Sequence, residues 1–202
     1  MRALLLLPLL LVSGCISLLP EPPPPPRTYV LEAQNVTELE GAPIDAVIAI
    51  AQPNGERAIL GADLVLRSGD TIAYVGQAQW SNRASDALQA MLAETLIRQG
   101  RFRASTRSGE ARADYEIRWE VLDFEVREQT TARFAADVRL VAQGRQIIAS
   151  RLIVAEVPVD GGQLTANAVA QALARAAREG SARIGEFAAG AAAEAEASAA
   201  TE

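Results

Sequence analysis

Three long alternating runs in the second half of the chain constrain its fold more than any other feature. From Asp114 to Arg127, Tyr115, Ile117, Trp119 and Val121 alternate with Glu116, Arg118 and Glu120. The phase then flips, and Leu122, Phe124 and Val126 become the apolar set. Side chains on a strand alternate faces, so a one-residue flip marks a bulge or sharp bend. Thr131 to Ala142 alternates cleanly, with Phe134, Ala136, Val138 and Leu140 on one side, and Ile147 to Val157 follows a turn at Gly144. Short connections between such runs predict an antiparallel meander that buries one face, with Trp119 and Phe134 shielded.

The first half adds shorter elements. Tyr29-Val30-Leu31 reads as an opening strand, and Ile44 to Ala51 as a strand apolar on both faces, before a turn at Pro53-Asn54-Gly55. Asp63 to Arg67 and Thr71 to Val75 flank Ser68-Gly69-Asp70, which predicts a hairpin with a three-residue loop. Ala84, Leu88, Met91, Leu92 and Leu96 share one helical face, with Ser81 or Asn82 as the cap and Gly100 as the stop. Phe102 opens a short strand, and Arg107 to Glu110 is a loop. Thr165 caps a closing helix whose stripe is Val169, Leu173, Ala176, Gly180, Ile184 and Phe187. The fold class expected is α+β: one domain over residues 28–187, a mostly antiparallel sheet with two amphipathic helices packed on it. The alanine–glutamate stretch 188–202 has no apolar anchor and is expected to be a frayed or disordered tail.

The N-terminus carries a different kind of signal. Arg2 precedes an apolar run from Ala3 to Val12, too short for a membrane-spanning helix, which needs about 20 residues. A basic start followed by a short greasy stretch is the pattern of a signal peptide, here residues 1–14. Val12-Ser13-Gly14-Cys15 matches the lipobox of bacterial lipoproteins: an aliphatic residue, two small residues, then cysteine. Val12, Ser13 and Gly14 are the expected peptidase recognition residues, and Cys15 the site of lipid attachment. Cys15 is the only cysteine, so no internal disulfide supports the fold. Resemblance to bacterial lipoproteins implies several acyl chains, palmitate among them, since one chain alone anchors only marginally. Ile16 stands where an aspartate would resemble an inner-membrane retention signal, which favours the outer membrane. Residues 15–27 then form the lipidated start and a linker; the proline-rich part, Pro20 to Pro26, would extend roughly 20 Å as a stiff spacer.

Composition removes most chemistry. The 19 basic residues are all arginine, against 25 acidic ones, and there is no histidine. Without histidine the usual general base and commonest metal ligand are missing; without lysine there is no Schiff-base chemistry and no Walker-type phosphate loop. No metal site and no cofactor beyond the covalent lipid is expected. An acidic chain without a basic stretch argues against nucleic acid as a partner. Asp123, Glu125 and Glu128 are the one carboxylate cluster that could suit glycosidase-like chemistry. Yet Asp123 and Glu125 occupy the polar side of a strand that has shifted phase, so a solvated strand face is the preferred reading and catalytic residues are expected to be none. Trp80 is read as core at the start of a helix rather than as an interface anchor, and Trp119 as core.

The order of these features resembles a family. A lipobox and proline spacer lead to a Tyr-Val-Leu strand, then Tyr74 and Trp80 before an amphipathic helix, then Leu96-Ile97-Arg98-Gln99-Gly100-Arg101-Phe102. Ala113-Asp114-Tyr115 opens the long strand carrying Leu122-Asp123-Phe124, and an alanine-rich helix closes the chain. This is similar to the ABC-type transport auxiliary lipoproteins, the group containing paraquat-inducible protein C. The longer proline spacer and the alanine–glutamate tail depart from that pattern. The resemblance implies a non-enzymatic, membrane-anchored periplasmic component at the outer membrane. Its implied partner is an MCE-domain protein of an ABC transport system moving phospholipid or other hydrophobic molecules between two membranes. Partner-binding residues are unknown at this level, and self-association into a homo-oligomer is left open. Two other readings stand beside it: an outer-membrane assembly lipoprotein that binds β-barrel machinery, and a lipid carrier with its own cavity. The second of these is weakened by an aromatic content of 4%, since a large cavity needs bulky apolar lining.

Overall fold

The structure is a computed structural model describing residues 24–143, 146–162 and 164–199. The expected signal peptide, Cys15, the start of the proline spacer and Gly144, where a turn is expected, lie outside the described residues. In chain order the elements are β1 (Arg27–Tyr29), β2 (Ile44–Ile50), β3 (Asn54–Gly55), α1 (Arg57–Leu60), β4 (Asp63–Ser68), β5 (Thr71–Trp80), α2 (Ala84–Gln99) and β6 (Phe102–Arg107). They continue with β7 (Tyr115–Arg127), β8 (Thr131–Ala142), β9 (Ile147–Pro158), a short 3-10 turn at Asp160–Gly162 and α3 (Ala166–Ala199).

β7 organises the sheet. One edge pairs along its whole length with β8, and β8 with β9, giving the expected antiparallel meander. The other edge is shared in turn by three short parallel partners: β2 at Tyr115 to Ile117, β3 at Glu120 and Val121, and β4 at Val126 and Arg127. β6 extends the sheet beyond β2, and β5 with β1 extends it beyond β4. The sheet is therefore mixed: its long ladders are antiparallel and its short pairings mostly parallel. The parallel pairings of β2, β3 and β4 with β6 and β7 follow from connectivity, because α2 carries the chain from β5 across to β6, and a parallel neighbour needs such a crossover.

The phase flip in β7 is a bulge. Val121 pairs with Ala136 and Asp123 with Ala135, leaving Leu122 without a partner. Leu122 is accordingly not part of the buried set; it is 45% exposed, while Phe124 and Val126 are buried. Trp119 and Phe134 are shielded, and Trp80 stacks on Phe124 with ring centroids 5.8 Å apart. Phe124 in turn meets Phe134 edge-on at 6.4 Å. These aromatics fill the space between the sheet and the helices, together with Leu88, Met91 and Leu92 of α2 and Val169, Leu173 and Ile184 of α3.

Several boundaries differ from the sequence reading. β1 begins at Arg27, which pairs with Ala78, and Val30 lies outside it and exposed. The β4–β5 loop has two residues, because Ser68 pairs with Thr71, and Gly69 takes φ +53° at its first position. A one-turn helix, α1, was not legible from periodicity. Neither Ser81 nor Asn82 caps α2: Arg83 holds that position without a side-chain bond, and the Ala84 N–H donates instead to the Gly61 carbonyl at 2.8 Å. Tertiary backbone pairing thus does what the hydroxyl would have done. Gly100 does stop α2, in the left-handed region at φ +71°. Thr165 caps α3, its Oγ1 accepting from the Ala168 N–H at 3.2 Å.

The largest correction concerns residues 188–199, part of the stretch expected to be a frayed or disordered tail. α3 does not stop at Phe187; it runs on to Ala199, and Ala188, Ala189, Ala191 and Ala192 are buried. Alanine lacks bulk but has the highest helix propensity, and its small side chain lets a helix lie close to its support. An alanine face can therefore anchor where no large apolar residue is present.

Candidate functional site

The residues expected to bear the lipid and its processing signal, Val12 to Cys15, precede the described part. The carboxylate cluster is visible, and arginine neutralises two of its three members. Glu125 points to the sheet face away from the helices yet is fully buried there. Its Oε1 accepts from Arg67 Nε at 2.7 Å and from Arg127 Nε at 3.0 Å. Asp123, brought to the same face by the bulge, accepts from Arg133 Nε at 2.8 Å and from Arg127. Arg133 reaches on to Glu156. The chain of ion pairs thus crosses β4, β7, β8 and β9. Hydrogen bonding to these carboxylates raises the pKa of Arg67 and Arg133 above the usual guanidinium value. Glu128 stands apart: it lies just after β7 and reaches the β4–β5 loop, accepting from the Gly69 N–H at 3.0 Å. Asp123 and Glu125 are therefore committed to holding four strands together, which is a structural role the alternation pattern did not reveal.

A second feature lies where the chain enters the domain. A cleft of about 370 Å³ opens between the segment after β1 and the outer turns of α3. Tyr29, Gln34, Trp80, Gln171, Arg175 and Arg178 line it, with small apolar residues between them. Arg178 Nε donates to the Glu32 carbonyl at 2.9 Å, which pins the entering segment to α3. Arg175 donates to Asp160 at 2.8 Å and to the Pro158 carbonyl at 3.0 Å. Burial, with the repulsion of Arg175 added, pushes the Arg178 pKa down despite the attraction of Glu32. Trp80 is core as expected, although its Nε1 has no protein acceptor among the described residues.

Reasoning from the sequence missed this cleft. Its signal was present, since Arg175 and Arg178 lie three apart on one helical face amid alanines, but their neighbours across the cleft come from residues far away in the chain. Four other clefts on the described surface are open and of about 240 to 410 Å³, at or below the low end of small-molecule sites. Among the described residues no group of acidic side chains could hold a metal ion, and no helix is long and apolar enough to cross a membrane.

Comparison with known proteins places this architecture. A family model described as "ABC-type transport auxiliary lipoprotein component" matches residues 29–185. No curated protein matches the chain. Among solved structures, a Xanthomonas campestris protein of family DUF330 superposes with a TM-score of 0.77 at 19% identity, over 84% of this chain and 98% of that one. A second, described as an uncharacterized protein, superposes with a TM-score of 0.65 at 16% identity, over 81% of this chain and 99% of that one. At such identities the superpositions speak for the fold alone.

Proposed function

The chain belongs to the family of ABC-type transport auxiliary lipoprotein components, and from that premise we propose that it is a membrane-anchored, non-catalytic docking subunit of a transport system. In this reading Cys15 carries the lipid, the mature domain stands on the periplasmic face of the outer membrane, and the partner is an MCE-domain protein. The system as a whole moves phospholipid or another hydrophobic molecule between the inner and outer membranes.

The observation that carries the proposal is how the tether joins the fold. Cys15 and Arg27 are separated by a proline-rich segment, and Arg27 already pairs with Ala78 in the sheet. Residues 16–26 reach at most about 35 Å when extended as polyproline, so a lipid at Cys15 would keep the domain at the bilayer surface. A domain held so closely, whose buried carboxylate is spent on arginine, is suited to holding a partner at the membrane. The small, open clefts argue against a lipid carrier with its own cavity.

In-cell crosslinking tests the reading. Crosslinks from the lipidated protein are expected to recover an MCE-domain protein, and deletion is expected to disturb outer-membrane lipid homeostasis. Crosslinks that run only to β-barrel assembly components, with lipid homeostasis intact, would replace this reading with the assembly-lipoprotein alternative.

A further inference from the structure

The cleft beside the chain's entry is cationic in an acidic protein. The formal charge of the chain is −6, yet this cleft is lined by Arg175 and Arg178 and by no carboxylate. Arg175 has its charge answered by Asp160. Arg178 makes no ion pair among the described residues: Glu32 attracts it only at a distance, and its one hydrogen bond runs from Nε to a backbone carbonyl, which leaves both terminal amino groups without a protein acceptor. A half-buried guanidinium whose terminal amino groups have no acceptor is costly to keep, and the fold keeps one here.

We propose that this cleft binds a single phosphate group, either free or as part of a lipid headgroup, with Arg178 as the principal cation. Guanidinium groups bind phosphate through paired, charge-assisted hydrogen bonds. Around Arg178 the cleft adds Tyr29, Gln34 and Gln171, neutral groups able to donate to further oxygens. So many separate donors suit the oxygens of a phosphate better than the two of a carboxylate. Position supports a headgroup as one source, because Tyr29 lies 14 residues beyond Cys15, a reach of less than about 50 Å even when fully extended. The site is defined by this chain's own side chains and does not depend on which transport partner it docks.

Calorimetric titration of the full lipidated protein in nonionic detergent tests the site with three probes: inorganic phosphate, a monomeric short-chain phosphatidylglycerol, and acetate at matched ionic strength. Saturable binding of phosphate and of the lipid identifies the phosphate group as what is read; binding of the lipid alone assigns the headgroup as the source. Arg178→Gln is expected to weaken either by about tenfold or more, the loss of a charge-assisted bond. Because Arg178 also pins the Glu32 carbonyl, Gln34→Glu serves as the second variant. It places a carboxylate at an exposed position in the cleft, leaves that bond intact, and is expected to weaken binding similarly while the thermal melt stays unchanged. Absence of saturable binding by both phosphate probes overturns the proposal. So does acetate binding as tightly as phosphate, or unchanged affinity in Gln34→Glu.

Discussion

Gly180 of α3 rests directly on the ring of Phe134 in β8, so closely that a Cβ at position 180 would overlap ring atoms Cδ1 and Cε1. The ring cannot yield, because Phe134 is fully buried and held edge-on by Phe124 and tilted against Trp119. Gly185, one turn and a residue further on, meets the side-chain amide of Gln99 in the same way. These two glycines set how near α3 lies to the sheet and to the end of α2.

Gly180→Ala is expected to destabilise the fold by about 1–3 kcal/mol, the usual cost of overpacking. Gly185→Ala should cost less, since the tip of the Gln99 side chain can turn aside. Combining it with Gln99→Ala should recover part of the loss, whereas no single truncation near Phe134 does so without opening a cavity. Urea unfolding of the two singles and the double reads this out, and equal costs for both glycines would contradict it.

Glu125→Ala is expected to lower stability by about 2 kcal/mol, since it removes charge-assisted bonds from both Arg67 and Arg127. The loss is limited because both arginines can turn toward solvent. Stability unchanged within the error of denaturant unfolding would mean that the ion-pair chain across β4, β7, β8 and β9 does not hold those strands.

Truncation after Phe187 removes four buried alanines and should cost up to about 3 kcal/mol at roughly 0.8 kcal/mol per buried carbon. It carries a spectroscopic signature as well. Burial and the nearby Glu196 raise the pKa of Tyr115 above the ordinary phenol value. Removing the end of α3 exposes the ring and takes away that negative charge, so Tyr115 should ionise at lower pH in the truncated chain. Ultraviolet titration of tyrosinate compares the two, and an unshifted titration would return residues 188–202 to the status of a free tail.

The loop after β6 should show an acid-side pH dependence. Glu110 accepts from the Arg107 N–H and the Thr106 hydroxyl, each at 3.1 Å, and these bonds hold its carboxyl below the usual range. A carboxyl depressed in the folded state favours folding above its ordinary pKa and loses that contribution as pH falls through the folded value. Carboxyl-carbon NMR should find Glu110 titrating below the ordinary glutamate range, and Glu110→Gln should flatten the acid-side loss of loop order.

The lipid anchor has its own test. In the proposed reading Cys15→Ser removes the thiol that would accept the diacylglyceryl group, so the protein should accumulate as unlipidated precursor and lose its membrane fractionation. Wild-type mass and fractionation in that variant would sink the anchor.

Local patterning carried a good deal of this. Alternation in the strands that became β7, β8 and β9 predicted the meander, because side-chain period and a buried face leave few alternatives. The bulge at Leu122 was legible as a phase flip, and the ends of α2 and α3 as Gly100 and Thr165. Where the reading failed, distant backbone took over. Ser81 and Asn82 lost the capping role to the Gly61 carbonyl, and the hairpin at Gly69 closed one residue tighter than its composition suggested.

The family could be read in the order of motifs alone, and so could the absence of histidine and lysine, because both are properties of the chain rather than of its shape. What only the tertiary structure decided is which polar groups meet. Glu125 has the sequence neighbours of a solvated strand residue, yet Arg67, brought beside it by the parallel pairing of β4 with β7, makes it a buried ion-pair partner. Arg178 reads as one charge on an alanine helix until the segment after β1 folds over it and accepts from its Nε at the Glu32 backbone carbonyl, leaving its terminal amino groups without an acceptor among the described residues. Alternation and composition act over a few residues, whereas burial and ion pairing depend on which strands become neighbours, and that is settled only when the whole sheet has closed.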